Sequence, residues 1–160
     1  MQIRIRSTGQ VLLQHEWEKW VAQTYAKSLS GISEEAVNRF ESDIVFEGPQ
    51  ASGGTVYQYS QHDGVEQIEG KWYTKYILGP VFTDGETTAA EQEAAYKAIK
   101  DAEQAANVRR SRTEMLKDCD WTQIADSTAD KAVWATYRQA LRDITTQSGF
   151  PWTITWPTQP

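Results

Sequence analysis

The feature that most constrains this chain is a change of pattern near Thr83-Asp84-Gly85. Up to Phe82, apolar residues alternate or form short β-branched and aromatic runs punctuated by Gly, Pro and Asp turn signals. Beyond Gly85 the chain becomes rich in alanine and its apolar spacing turns helical. The two regions therefore demand different local structure, and the expected division is residues 1–85 and 86–160 within an α+β chain. A length of 160 residues accommodates two small bodies of this kind.

In the first region, Gln2 to Arg6 alternates as a short strand, Thr8-Gly9 turns the chain, and Gln10 to Gln14 pairs back as a hairpin. His15 to Lys27 places Trp17, Trp20, Val21, Thr24 and Tyr25 on one face of an amphipathic helix. Ser33, followed by Glu34 and Glu35, has the chemistry of a helix N-cap with acidic residues in the first turn. A strand over Asp43 to Gly48 and a loop through Ser52-Gly53-Gly54 come next. An antiparallel three-strand β-meander is expected over Thr55–His62, Val65–Ile68 and Lys71–Leu78, with Asp63-Gly64 and Glu69-Gly70 as its turns.

The second region opens with Thr88 and Glu91 at capping-box spacing, which predicts a long Ala-rich helix over 86–117. Its expected apolar stripe, Ala95, Ile99, Ala102, Ala106 and Thr113, is thin. Such a helix either packs closely on a neighbour or projects as an arm whose other surface a partner supplies. After a loop, Ser127 is the expected cap of a second helix with Val133, Tyr137, Ala140, Leu141 and Ile144 inward. The chain then closes on Phe150-Pro151-Trp152-Thr153-Ile154-Thr155-Trp156-Pro157, where the prolines exclude helix and favour an extended aromatic strap. Alternation puts Trp152, Ile154 and Trp156 on one face, a ridge that docks either in cis or on a partner.

Composition narrows the function. Sixteen basic and 22 acidic residues leave a net charge of −6, which disfavours a nucleic-acid partner. The basic cluster Arg109, Arg110 and Arg112 lies inside the expected helix, without a Gly-rich loop or stacking platform, and reads as a solvated or ion-paired face. The opening MQIRIRSTGQ lacks the apolar stretch of a signal peptide, and no run suits a membrane span, so a soluble intracellular protein is expected. Cys119 is the only cysteine, so no internal disulfide is available.

Catalytic chemistry finds little support. His15 and His62 stand in different elements without metal-ligand spacing, and Cys119 has no histidine placed beside it by the sequence. The carboxylate pairs Glu34/Glu35 and Glu66/Glu69 are what 22 acidic residues produce by chance. No catalytic residue, metal or cofactor is expected. Aromatic density is the stronger signal, because Trp and Tyr suit both small cores and binding surfaces.

Three stretches of the C-terminal region are distinctive: Asp120-Trp121-Thr122-Gln123; Trp134-Ala135-Thr136-Tyr137-Arg138-Gln139-Ala140-Leu141-Arg142-Asp143-Ile144; and Gly149-Phe150-Pro151 with Trp156-Pro157. In order and spacing they resemble the tail assembly chaperone family of tailed bacteriophages, over roughly residues 112 to 160. Ile3-Arg4-Ile5 before Thr8-Gly9, Val45-Phe46-Glu47-Gly48-Pro49 and Gly64-Val65-Glu66-Gln67-Ile68-Glu69-Gly70-Lys71-Trp72 look like the domain that often precedes this module in phage tail proteins. The resemblance implies a chaperone acting in the host bacterial cytoplasm, which binds a tail fibre or other tail protein and helps it fold or trimerise. It brings no catalytic residues. The expected partner-binding residues are Trp121, Trp134, Tyr137, Arg138, Arg142, Phe150, Trp152 and Trp156. The alternative is a permanent component of the virion tail, a fibre cap or connector, with the long helix associating around the three-fold axis of a fibre.

Overall fold

Alternation at the N terminus produces the first hairpin. Strand β1 (Gln2–Ile5) pairs antiparallel with β2 (Val11–Leu13) on one side and with β3 (Ser42–Phe46) on the other. Ile3 and Ile5 point to one face, where helices α1 (Gln14–Tyr25) and α2 (Glu34–Arg39) cover them with Trp17, Val21, Val37 and Phe40. Burying the Trp17 indole requires a partner for its N–H. Trp17 Nε1 donates to Ser42 Oγ at 3.0 Å, and that hydroxyl donates to the Phe40 carbonyl at 2.9 Å. Ser33 caps α2 as its chemistry predicts, accepting from the Ala36 amide at 3.1 Å. The α1 face is narrower than expected: Thr24 and Tyr25 are exposed, and the Tyr25 ring lies against Trp20 and Phe40.

The expected three-strand meander is instead one long hairpin, β4 (Tyr59–Ile68) with β5 (Lys71–Gly79). Asp63-Gly64 does not turn the chain. Its two residues face a single one, Lys75, as a β-bulge, with Gly64 at a φ of 78° and Asp63 ion-paired to Lys75 at 2.7 Å. An Asp-Gly pair supplies positive φ equally well to a turn or a bulge, so local sequence does not separate the two. The sheet is also mixed rather than antiparallel throughout: its order is β2-β1-β3-β5-β4, and β3 runs parallel to β5.

Because β4 lies outside β5, the chain leaving β3 must pass β5 to reach it. The Gly48 amide donates to Thr74 Oγ1 at 2.8 Å, and the Ala51 amide to Ser60 Oγ at 3.0 Å, fastening this crossing. A Cβ on Gly48 would stand 2.0 Å from the Thr74 carbonyl oxygen, so only glycine fits. Gly48→Ala is expected to destabilise the β-rich part of the chain by about 1–3 kcal/mol, as overpacking does. Chemical denaturation followed by amide exchange in β5 checks this, and unchanged β5 protection would count against it.

The structure is a computed structural model that describes residues 1–29 and 31–160, which divide into two units, Met1–Val81 and Phe82–Pro160. In the second unit, Phe82 lies against Tyr96 and Gln92 Nε2 donates to the Thr83 carbonyl at 2.8 Å, tying the entry segment to helix α3 (Ala89–Asp118). Thr88 and Glu91 form the predicted capping box, with the Thr88 amide donating to Glu91 Oε2 at 2.9 Å. That backbone hydrogen bond, helped by the Thr88 hydroxyl, holds the Glu91 carboxyl below its ordinary pKa.

The buried face of α3 differs from the expected one. Ala105 and Val108 are buried, Met115 and Leu116 pack on the core, and the expected stripe of Ala95, Ile99, Ala102, Ala106 and Thr113 is exposed. Alanine occurs on several faces of this helix, so it does not mark the inward one. The true face also carries Gln104 and Arg112, which break its hydrophobic signature. Helix α4 (Lys131–Arg142) is capped by Asp130 rather than Ser127: Asp130 Oδ1 accepts from the Ala132 and Val133 amides at 3.0 and 3.1 Å. Ser127 instead accepts from the Ala129 amide within the preceding loop. The inward face of α4 is Trp134, Tyr137, Arg138 and Leu141, followed by Ile144 in a 3-10 turn.

Candidate functional site

The second unit is held together by a cluster of Cys119, Trp134, Tyr137 and Leu141, with Met115, Leu116 and Trp156 packed against it. Between α3 and α4 the motif Asp120-Trp121-Thr122-Gln123 forms a single 3-10 turn. Its geometry follows from Thr122, which is fully buried and donates from Oγ1 to the Cys119 carbonyl at 2.7 Å. With Thr122 inward, the preceding Trp121 is thrown outward.

Arg138 joins α4 to the end of α3. Its Nη1 donates to the Leu116 carbonyl at 2.8 Å and to Cys119 Sγ at 3.0 Å, while Nη2 meets Asp120 Oδ1 at 2.8 Å. Burial works against its charge, but Asp120 and the Cys119 sulfur outweigh it, so the guanidinium pKa lies above its ordinary value. Burial likewise pushes the Tyr137 hydroxyl upward. The Cys119 thiol is buried and donates to the Leu116 carbonyl at 3.3 Å.

The terminal strap folds onto its own unit. Gly149 starts a tight turn in which the Thr153 amide donates to its carbonyl at 2.7 Å. Phe150 to Trp152 lie in that turn and not in the expected extended segment, and Trp152, Ile154 and Trp156 are half-buried while Thr153 and Thr155 are exposed. Trp152 Nε1 donates to Asp101 on α3, the Arg109 guanidinium lies 5.4 Å from the centre of the Phe150 ring, and Trp156 packs on the central cluster. Gln147 clamps the strap from below, donating to the Thr155 carbonyl at 2.9 Å and accepting from its amide at 2.8 Å.

The eight residues singled out by sequence thus fall into three groups. Trp134, Tyr137, Arg138 and Trp156 build the cluster, with the first three buried. Phe150 and Trp152 fasten the strap to α3. Trp121 and Arg142 are exposed, and Trp121 is 52% accessible while its ring stands edge-on to Trp134 at 5.8 Å. Beside Trp121, two further apolar residues are exposed: Ile124, at 55%, and Val133, expected in the core but 47% exposed. Val133 also lines a groove of about 500 Å³ between α4 and the terminal Pro157–Pro160, with Thr136, Tyr137 and Ala140 as its other walls. Periodicity gave no signal against Val133, which falls with Trp134, Tyr137 and Leu141 inside a stripe about 100° wide and lies at its edge.

In the first unit His15 and His62 are exposed, and a cleft of about 340 Å³ is lined by Arg6, Glu34, Asp43, Phe46 and Lys71 among others. Its Arg6 is already held by Asp43 at 2.8 Å and Asn38 at 2.7 Å. Among the described residues no group of three or more His, Cys, Asp or Glu could hold a metal ion, and no helix is long and apolar enough to cross a membrane.

The second unit docks its own aromatic tail and leaves Trp121, Ile124 and Val133 exposed. Residues 105–160 match the model of the family described as phage tail assembly chaperone protein. The match begins at Ala105, the first buried residue of α3, and so takes in the whole packed cluster and the strap. No curated protein and no solved structure matches the chain. The family match supports a chaperone role in phage tail assembly.

Proposed function

We propose that the protein is an assembly chaperone for a phage tail fibre or other receptor-binding tail protein, acting in the host cytoplasm by binding alone, with no covalent step. The observation that carries this reading is the exposed apolar surface of Trp121, Ile124 and Val133 on a module that matches the tail assembly chaperone family. Long trimeric β-rich fibres fold slowly and expose sheet edges and apolar surface on the way. A partner that covers those surfaces suppresses aggregation until the chains trimerise. Trp121 is the anchor of the proposed interface: its ring is large, projects from a fixed 3-10 turn and is braced by Trp134, so little ordering entropy is lost on binding.

Co-expression with the tail proteins of the same phage, followed by pull-down, tests the proposal. Trp121→Asp and Val133→Asp are expected to abolish recovery of soluble fibre, or to weaken binding by about thirtyfold or more, since an aromatic hot spot contributes at least ~2 kcal/mol. Both positions are exposed, so the melting temperature should stay within a few degrees of the wild type. Undiminished fibre yield with both variants would remove this surface from the function. Mass spectrometry of purified virions separates a chaperone, which is absent, from a retained tail subunit.

A further inference from the structure

We propose that a second copy of this chain pairs with the outer edge of β4, the two strands running antiparallel about a two-fold axis between Asp63 and Gly64. Among the described residues β4 is the last strand of its sheet, so its outer backbone groups meet no neighbouring strand. What satisfies such a row of N–H and C=O groups is another extended strand. Which groups point outward follows from β5. The Glu69-Gly70 turn closes on Ile68 and Lys71 as a hydrogen-bonded pair, and alternation along the regular β5 makes Tyr73, Ile77 and Gly79 the next residues bonded to β4. Their partners Glu66, Gln61 and Tyr59 therefore bond inward, which leaves Ser60, His62, Val65 and Gln67 to bond outward. Tyr59 and Ile68, at the two ends of the strand, are 55% and 44% exposed.

The bulge selects the occupant. Asp63 and Gly64 interrupt the alternation, so the outward residues stand in two pairs on either side of them, and a straight strand matches one pair or the other. A bulge protects an edge against such strands. A second β4, carrying the same interruption, matches both pairs. In the antiparallel register that sets bulge against bulge, Ser60 of one copy bonds to Gln67 of the other and His62 to Val65, and a shift in either direction puts a bulge against regular backbone. The side chains agree with this register. Tyr59 lies opposite Ile68 of the second copy, so each copy covers two exposed apolar residues of the other. Gln61 lies opposite Glu66, an amide facing a carboxylate, and no like charges stand opposite each other. Asp63 turns to Lys75 at 2.7 Å within its own hairpin, and Gly64 has no side chain to hold the two strands apart.

Pairing at β4 is independent of the Trp121 surface, so failure of either leaves the other intact. Sedimentation velocity of the full chain is expected to show a dimer by about 100 micromolar. Proline is tolerated where an edge N–H faces outward, so Gln67→Pro should keep the circular dichroism of the wild type and raise the dissociation constant about tenfold or more. Gln61→Glu sets carboxylate against carboxylate and should weaken the dimer without touching the backbone, whereas Gln61→Lys, facing Glu66, should tighten it. For register, Tyr59→Cys protein mixed with Ile68→Cys protein should form the mixed disulfide, and neither should cross-link to itself. The native Cys119 is buried and takes no part. A chain that stays monomeric at about 500 micromolar, a dimer that Gln61→Glu and Gln61→Lys affect alike, or cross-linking of Tyr59→Cys to itself would each overturn the proposal. Loss of fibre recovery with Gln67→Pro, from a wild type that is monomeric, would overturn it too and give the edge to a strand of the fibre.

Discussion

Arg138→Met will unfold the second unit at temperatures where the wild-type chain is intact. The guanidinium supplies donors to the Leu116 carbonyl, the Cys119 sulfur and Asp120, and methionine fills a similar volume while supplying none. Asp120 is largely exposed and regains water, so its share of the loss is small. The Leu116 carbonyl, left with only the weak Cys119 S–H donor, and the buried sulfur bear most of it, and a poorly satisfied buried polar group costs about 1–3 kcal/mol. Adding the lost charge-assisted contact, the expected destabilisation is about 2–4 kcal/mol. For a unit of this size that lowers the midpoint by roughly 10–25 °C. Arg138→Lys should recover little, because one ammonium cannot span three acceptors held by two different elements. Thermal melting followed by tryptophan fluorescence reads the effect, and a shift of under about 3 °C for Arg138→Met would make the network peripheral.

That prediction assigns Arg138 a task the sequence did not suggest. An arginine within Trp134-Ala135-Thr136-Tyr137-Arg138 reads as a polar residue next to an apolar stripe, and a binding role is the natural inference. Its acceptors lie 18 to 22 residues earlier, across the helix-to-helix connection, and no local pattern announces such a contact. The elements that were legible are those whose cause is local. Ser33 and Thr88 cap helices by hydrogen bonds within three residues, and Ile3 and Ile5 alternate into the core. What failed to show depends on distant partners. Whether Asp63-Gly64 is a turn or a bulge is decided by how β5 runs alongside, and the parallel pairing of β3 with β5 depends on a crossing fastened at Thr74. The inward face of α3 differs from the expected one because alanine is compatible with either environment, and only the burial of Ala105 and Val108 and the packing of Met115 and Leu116 on the central cluster resolve it. At the candidate site, the exposure of Trp121 rests on Thr122 being buried, a preference that no periodicity reveals in a four-residue turn.

Deleting residues 150–160 is expected to cost the second unit its cooperative fold, in contrast to a free aromatic arm, whose loss would affect only the partner. The sequence left open whether the ridge of Trp152, Ile154 and Trp156 docks in cis or elsewhere, and every contact of the strap described above lies within its own unit. Trp156 packs on Cys119, Trp134, Tyr137 and Leu141, Trp152 donates to Asp101, and Gln147 grips Thr155 through both of its amide atoms. Full burial of a large side chain contributes about 1.5–3 kcal/mol, and these tryptophans are half-buried, so about 1–2 kcal/mol each is a fair share. Together with the exposure of Trp134 and Tyr137 that deletion would cause, the loss approaches the whole stability of a domain of under a hundred residues. Trp156→Ala should lower the melting midpoint by roughly 5–15 °C and Trp152→Ala by somewhat less, whereas Thr153→Ser and Thr155→Ser, on the exposed face, should leave it in place. The sheet of the first unit, whose core of Ile3, Ile5, Trp17 and Val21 shares no residue with the strap, should keep its amide protection in the deletion variant. A deletion that melts at the wild-type temperature yet no longer recovers soluble fibre would reverse this assignment and make the strap itself the arm that grips the partner.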